Sequence, residues 1–184
     1  MSEVRIERFD ASPERLEAFE RVRDLVGLYA GAAPETVPAG TTCFLAWEGD
    51  APLARASVFV APGLHHAPGP SGLVGHYEAL RQDAGVAVLK AACHALTERR
   101  VARVLGPMNG STWARYRLAL RETGPDSPPF LAEPWNPARY PDDFAAAGFV
   151  ADARTTRAAR TIGSTTSRPT RNGSPSRCGA PECG

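Results

Sequence analysis

Most of the chemistry the chain could do is concentrated between Gly72 and Ala87. A strand-like stretch, Gly72 to Leu80, passes into Gln82-Asp-Ala-Gly85-Val-Ala87, which opens a helix-like stretch. A helix start leaves backbone N–H groups unpaired and carries the positive end of the helix dipole, so this junction can hold a pyrophosphate. On the strand, His76 and Glu78 are two residues apart and share a face, which places an imidazole and a carboxylate together. Cys93 falls on the inward stripe of the helix without an activating partner, which argues against a covalent thiol mechanism. The side chains of the adjacent His65 and His66 diverge and no further ligand follows them, while Cys178-x4-Cys183 has no His or second Cys pair nearby. No metal site is expected.

The elements that must position these residues can be read from periodicity and punctuation. Val4 to Phe9 is a short first strand. Ser12 followed by Pro13 is an N-cap with proline at the first helical position, and Leu16, Phe19, Val22 or Arg23, Val26 and Tyr29 then recur at helical spacing up to Gly31. Thr42 to Trp47 and Leu53 to Val60 are β-rich runs joined by Glu48-Gly49-Asp50-Ala51, the pattern of a hairpin. Pro62 to Pro70 is a loop. After the Gly72 to Leu80 strand, Asp83 can cap a helix whose Leu89, Ala92, Cys93 and Leu96 line one face before Arg99-Arg100 close it. Val101 to Leu105 forms the next strand and ends in Gly106-Pro-Met-Asn-Gly110, after which Ser111 or Thr112 can cap a helix through Trp113, Tyr116 and Leu120. Strand, helix and strand of these lengths make a right-handed crossover with the two strands parallel, so residues 1–150 predict a mixed α/β (α+β) domain. Asn109, at the strand end, can hydrogen-bond backbone there. Trp113, Trp135 and Tyr140 can either line a pocket or fill the core.

Composition narrows the partners. The chain has 184 residues, one domain's worth or a domain plus a tail. Its 21 basic and 20 acidic residues give no bulk attraction to nucleic acid or to an anionic bilayer. Charges stand where a signal peptide needs an apolar core, and no apolar run has the roughly 20 residues that span a bilayer, so a cytoplasmic protein is expected. From residue 151 onward, Ile162 is the only large apolar residue, and six Arg against two acidic residues leave this tail at +4. Such a segment cannot bury enough surface to offset the entropy of ordering it, which predicts a disordered C-terminal tail over 151–184. Its Arg, Ser, Thr, Pro and Gly makeup is also what a GC-rich sequence yields in a shifted reading frame.

The ordered region resembles the GNAT superfamily of acyl-CoA-dependent N-acyltransferases. Gln82-Asp-Ala-Gly85-Val-Ala87 is similar to that family's Gln/Arg-x-x-Gly-x-Gly/Ala signature. Asn109 with Tyr116 resembles its Asn…Tyr spacing, and Gly148-Phe149 its Gly-Phe before the next strand. The stretch Gly106 to Trp113, with Glu133-Pro-Trp-Asn-Pro137 and Tyr140-Pro141, is similar to an uncharacterised bacterial branch of that superfamily.

The resemblance implies a mixed, partly antiparallel sheet flanked by helices. It also implies direct transfer of an acetyl or short acyl group from acetyl-CoA, or another acyl-CoA, to a small-molecule or peptide amine. By the same resemblance, the strand Val74 to Leu80 splays from Val101 to Leu105. Pantetheine then pairs with backbone near Ala79 and Leu80, and the cofactor contacts Gln82, Ala84, Gly85, Val86, Ala87 and Asn109. Tyr116 would be the general acid for the leaving thiolate, with Glu78, or His76 on the same face, as the base. The family's closing strands are not legible after Val150, so an acyl-CoA-binding or protein-interaction module without turnover is the alternative.

Overall fold

The computed structural model describes residues 3–27, 35–62, 69–120 and 134–151. Eight elements follow in order: β1 (Arg5–Asp10), α1 (Pro13–Val26), β2 (Thr42–Glu48), β3 (Ala51–Ala61), β4 (Ser71–Ala79), α2 (Gln82–Glu98), β5 (Arg103–Leu105) and α3 (Tyr140–Ala146). The five strands form one sheet in chain order. Neighbours from β1 to β4 are antiparallel and β4 with β5 is parallel, as the crossover through α2 requires.

Both faces of the sheet are covered, and the alternation along β2 shows how. Cys43 and Leu45 join Phe9 and, from α1, Phe19 and Val22 on one face. Phe44 and Ala46 join Val58, Val74 and, from α2, Val88, Leu89 and Leu96 on the other. Because every strand residue in the middle of the sheet meets one helix or the other, β4 is buried along its whole length.

Two sequence expectations need correction. Helix α1 ends at Val26 instead of reaching Gly31, because Gly27 adopts the left-handed conformation (φ 72°) and returns its N–H to the Arg23 carbonyl at 3.2 Å. The expected helix from Ser111 through Trp113, Tyr116 and Leu120 does not form. Gly110 (φ 84°) turns the chain back, so that Met108 and Tyr116 pair as an antiparallel bridge. The Asn109 N–H donates to the Arg115 carbonyl at 2.8 Å, and the Arg117 N–H to the Pro107 carbonyl at 3.1 Å. Trp113, at this turn, is 98% exposed. Among the described residues, the first helix after β5 is instead α3. Its start, Tyr140-Pro141-Asp142-Asp143, carries proline in the first turn and two acidic residues, which is itself a helix-start signal.

The tail expectation, the histidine pair at 65–66 and the cysteines at 178 and 183 lie outside the described residues. Among the described residues no helix is long and apolar enough to cross a membrane.

Candidate active site: a cleft beside two parted strands

Strands β4 and β5 pair over three residues only, Ser71 with Arg103, Gly72 with Val104 and Leu73 with Leu105. Beyond that the regular ladder ends, although the chain stays against the β4 edge as far as Asn109. The Met108 N–H still reaches the Val74 carbonyl at 2.8 Å, and Asn109 Oδ1 accepts the His76 N–H at 2.7 Å. From Tyr77 to Ala79 this edge of β4 meets no strand among the described residues, and the start of α3 stands there instead. Gly75 permits the approach, since a Cβ at that position would lie 2.6 Å from the Met108 carbonyl oxygen.

A bulge sets which side chains face where. In the β3–β4 register Ser57 stands opposite Gly75 and Arg55 opposite Glu78, so His76 and Tyr77 together oppose Ala56 alone. His76 takes the bulged position with φ 50°, a conformation uncommon for a residue with a Cβ. The result is a division of labour along β4. Tyr77 and Ala79 turn towards α2, where both stand against Gly85. His76 and Glu78 turn the other way, towards α1 and a cleft of about 620 Å³. The expected shared face of His76 and Glu78 is therefore present, and both line this cleft.

Glu78 is buried and bonded to Tyr140, whose hydroxyl donates to Glu78 Oε2 at 2.8 Å and accepts the Ala79 N–H at 2.9 Å. Burial raises the Glu78 carboxyl above its usual range, against the pull of Arg55, the Tyr140 hydrogen bond, Arg115 and Arg23 in the other direction. Burial and the neighbouring Glu78 likewise raise the Tyr140 phenol, so it holds its proton. His76 behaves oppositely: burial, then Arg55 and Arg115, push it down to about 4. Its Nδ1 lies 2.7 Å from the Ser57 hydroxyl, and the ring is neutral at physiological pH. A second buried pair supports the first: the Tyr77 hydroxyl donates to Asp143 Oδ2 at 2.7 Å, with the Tyr77 ring packed edge-on against Tyr140 and Phe144.

The start of α2 is open on one side. Gln82 and Asp83 are exposed, Ala84 and Gly85 buried, and Val86 and Ala87 half-buried. Arg81, and not Asp83, is the N-cap; its guanidinium grips Asp83 at 2.8 Å and Glu48 at 3.0 Å. Gly85 lets the helix approach β4, for a Cβ there would lie 2.1 Å from the Tyr77 hydroxyl.

The sequence-derived site residues thus fall into three groups. Glu78, Asn109 and Tyr116 line one cleft. Gln82, Ala84, Gly85, Val86 and Ala87 form the first turns of α2 as expected. Ala79 and Leu80 differ from expectation, because their backbone amides are already engaged: Leu80 N–H with the Leu53 carbonyl at 2.8 Å, and Ala79 N–H with Tyr140. Arg139 also donates to the Ala79 carbonyl. Tyr116 reaches the cleft from a turn and not from a helix. Sequence reasoning missed Tyr140, Arg139 and Asp143 as a unit, although Pro141 after Tyr140 marked where a helix begins. Cys93 and Cys43 are both held as thiols by burial, Cys43 pushed up to about 12. Among the described residues no group of three or more His, Cys, Asp and Glu could hold a metal ion.

This architecture, with a sheet that is antiparallel up to β4, a parallel β4–α2–β5 crossover and strands that part, is the fold of the GNAT acetyltransferases. Among solved structures, the aminoglycoside N-acetyltransferase AAC(6')-Iy in complex with CoA is similar at a TM-score of 0.52 and 11% identity, over 87% of this chain and 96% of that one. A protein assigned as an acetyltransferase from Agrobacterium tumefaciens str. C58 gives 0.51 and 16%, over 84% and 99%. The aminoglycoside acetyltransferase meta-AAC0020 from an uncultured soil metagenomic sample gives 0.50 and 12%, over 87% and 97%. No protein-family model and no curated protein matches the chain by sequence.

Proposed function

We propose that the protein is an enzyme of the GNAT type, an N-acyltransferase that moves an acetyl or short acyl group from acyl-CoA to a small-molecule or peptide amine in the cytoplasm. One observation carries this reading. At the unpaired edge of β4, Ala79 is held by the side chains of Tyr140 and Arg139 and not by a strand, beside a buried glutamate that faces a cleft, and α2 opens from the end of the same strand. Similarity to a structure in complex with CoA supports the donor class.

The chemistry requires an amine nitrogen to form a C–N bond while the thioester C–S bond breaks and its electron pair leaves on sulfur. One amine proton must be taken up and the sulfur must gain one. Glu78, raised by burial, is suited to take the amine proton near neutral pH, directly or through water. The Ala79 N–H donates to the Tyr140 hydroxyl, and on exchanging that partner it is the backbone donor placed to hold the developing oxyanion. Tyr140 stands at the start of α3 and bonds to both groups, so we assign it the thiolate proton in preference to Tyr116, which lines the same cleft from a turn. Gln82, Ala84, Gly85, Val86 and Ala87 bring the exposed start of α2 to the phosphates.

The engagement of Ala79 by Tyr140 and Arg139 favours a second reading, a module of this fold that binds acyl-CoA or a partner without turnover. Titration calorimetry with acetyl-CoA, followed by thiol release over an amine panel, separates the two. Binding with transfer supports the enzyme, binding without transfer over the whole panel supports the module, and no binding refutes both.

A further inference from the structure

We propose that His76 is a fixed, uncharged hydrogen-bond donor whose Nε2–H holds a neutral oxygen of the amine acceptor, a hydroxyl or carbonyl close to the nitrogen; this rests on the acyl-transfer reading above. The backbone is built to aim this side chain. His76 takes the bulged position of β4 at φ 50°, a strained conformation that persists only where the surroundings fix it. Here they do. The His76 N–H donates to Asn109 Oδ1 at 2.7 Å, and the Asn109 amide donates in turn to Glu35. A bulge re-aims the side chain it carries, and this ring lines the cleft.

Ser57 fixes the tautomer. It is fully buried on β3, and its hydroxyl lies 2.7 Å from His76 Nδ1 with no other partner among the described residues. Were Nδ1 to carry the proton, the serine proton would be sealed in without an acceptor, which is costly. The Ser57 O–H therefore donates to Nδ1. The ring is neutral, since burial, then Arg55 and Arg115, disfavour its cation, so its one proton sits on Nε2.

The protonated end is open. Nε2 has no hydrogen-bond partner among the described residues, and it is not one of the sealed side-chain atoms that lack one, which are Glu20 Oε2, Arg55 Nε and Asp143 Oδ1. Phe19 and Phe59 flank the ring, at 6.3 and 5.9 Å between centroids, and offer no acceptor of their own. Glu78 is the next residue on the same face of β4, so the two divide the acceptor between them. Glu78 takes the amine proton, while His76, whose bare nitrogen is engaged by Ser57, cannot act as the base and donates instead. A neutral imidazole N–H suits an uncharged oxygen, and its positive end opposes a second ammonium group. Ser57 and Asn109 are then positioning residues.

The test uses the full chain with ¹⁵N-labelled histidine, the His76 signals being those lost in His76→Gln. The proposal expects a single tautomer at pH 7 with the proton on Nε2, and expects Ser57→Ala to admit the other. A proton on Nδ1, or a mixture in the unaltered protein, overturns it. Two amines of one skeleton, phenylethanolamine and phenethylamine, then read the ligand. With acetyl-CoA, kcat/KM for the amino alcohol should exceed that for the plain amine by about fivefold to a hundredfold, the range for a buried donor left unpaired. His76→Gln, whose amide N–H can stand where Nε2–H stood, should keep part of that ratio, and His76→Phe should abolish it with KM for acetyl-CoA unmoved. Equal use of the two amines, or preference for phenethylamine, overturns the donor while leaving the transferase intact. Should His76→Phe fail to fold, the ratio and the tautomer in the unaltered protein decide. If calorimetry detects no acetyl-CoA binding, the transferase reading fails by itself. There, or where neither amine is acetylated, each amine is titrated against the Nε2 resonance: a shift with the amino alcohol alone supports the donor, and equal shifts, or none, overturn it.

Discussion

The Tyr140 hydroxyl donates to Glu78 Oε2 at 2.8 Å across 62 residues of chain, and the same oxygen accepts the Ala79 N–H at 2.9 Å. One side chain from α3 therefore holds both the candidate base and the backbone donor of the parted strand. Tyr140→Phe would leave two buried polar groups without their partner. At about 1–3 kcal/mol for each such group, the expected loss is about 2–6 kcal/mol, read as a lower midpoint in urea denaturation. Turnover should fall by about a hundredfold or more. An unchanged midpoint would show that Tyr140 does not tie α3 to the strand.

Glu78→Gln keeps the shape of the side chain and removes the charge. Turnover should fall by about 10²–10⁴ with acetyl-CoA affinity little altered, and the rise of wild-type activity with pH should lie above the ordinary carboxylate range. Stability should respond in the opposite sense. A carboxyl whose folded pKa is raised stabilises fully below its unfolded value and loses that contribution as pH rises through the folded one. Glu78→Gln is therefore expected to be more stable than wild type at neutral pH, with the difference shrinking in acid. A variant destabilised at pH 7 and equal at pH 4 would contradict the assignment.

His76 predicts an acid-sensitive fold. Its pKa is depressed from 6.5 to about 4, so its contribution is present above 6.5 and is lost as pH falls towards 4. The shift corresponds to about 3 kcal/mol. Denaturant midpoints measured from pH 7 to pH 4 should fall over that window, and His76→Gln should flatten the slope there. A slope unaltered by the substitution would assign the acid sensitivity elsewhere.

Gly85 tests the packing of α2 on β4. Alanine there would put a Cβ 2.1 Å from the Tyr77 hydroxyl, an overpacking expected to cost about 1–3 kcal/mol. Tyr77→Phe removes the clashing oxygen together with its bond to Asp143. The two substitutions should therefore combine less than additively in a double-mutant cycle. Strict additivity would mean that the helix and strand do not meet at this point.

Much of this fold is legible in the sequence where local signals suffice. Pro13 marks the start of α1, the Gly49-Asp50 turn fixes the β2–β3 hairpin, and the apolar stripe Leu89, Ala92, Leu96 identifies α2. The face shared by His76 and Glu78 is the one period-two alternation gives, although His76 itself sits at the bulge. What escapes the sequence depends on distant partners. Trp113, Tyr116 and Leu120 have helical spacing, but the bridge from Met108 to Tyr116 and the turn at Gly110 decide otherwise. Tyr140 is an ambiguous aromatic until its hydroxyl is seen between Ala79 and Glu78, since no pattern of spacing reports a contact over some 60 residues.

The most direct test follows backbone amide resonances in ¹⁵N-labelled protein as acetyl-CoA is added. The account predicts saturable shifts at Ala79, whose N–H would exchange Tyr140 for the ligand, and at Gln82 and Asp83 at the helix start, with Ile6 and Leu45 on β1 and β2 unmoved. Saturating acetyl-CoA that leaves Ala79, Gln82 and Asp83 unshifted would contradict it.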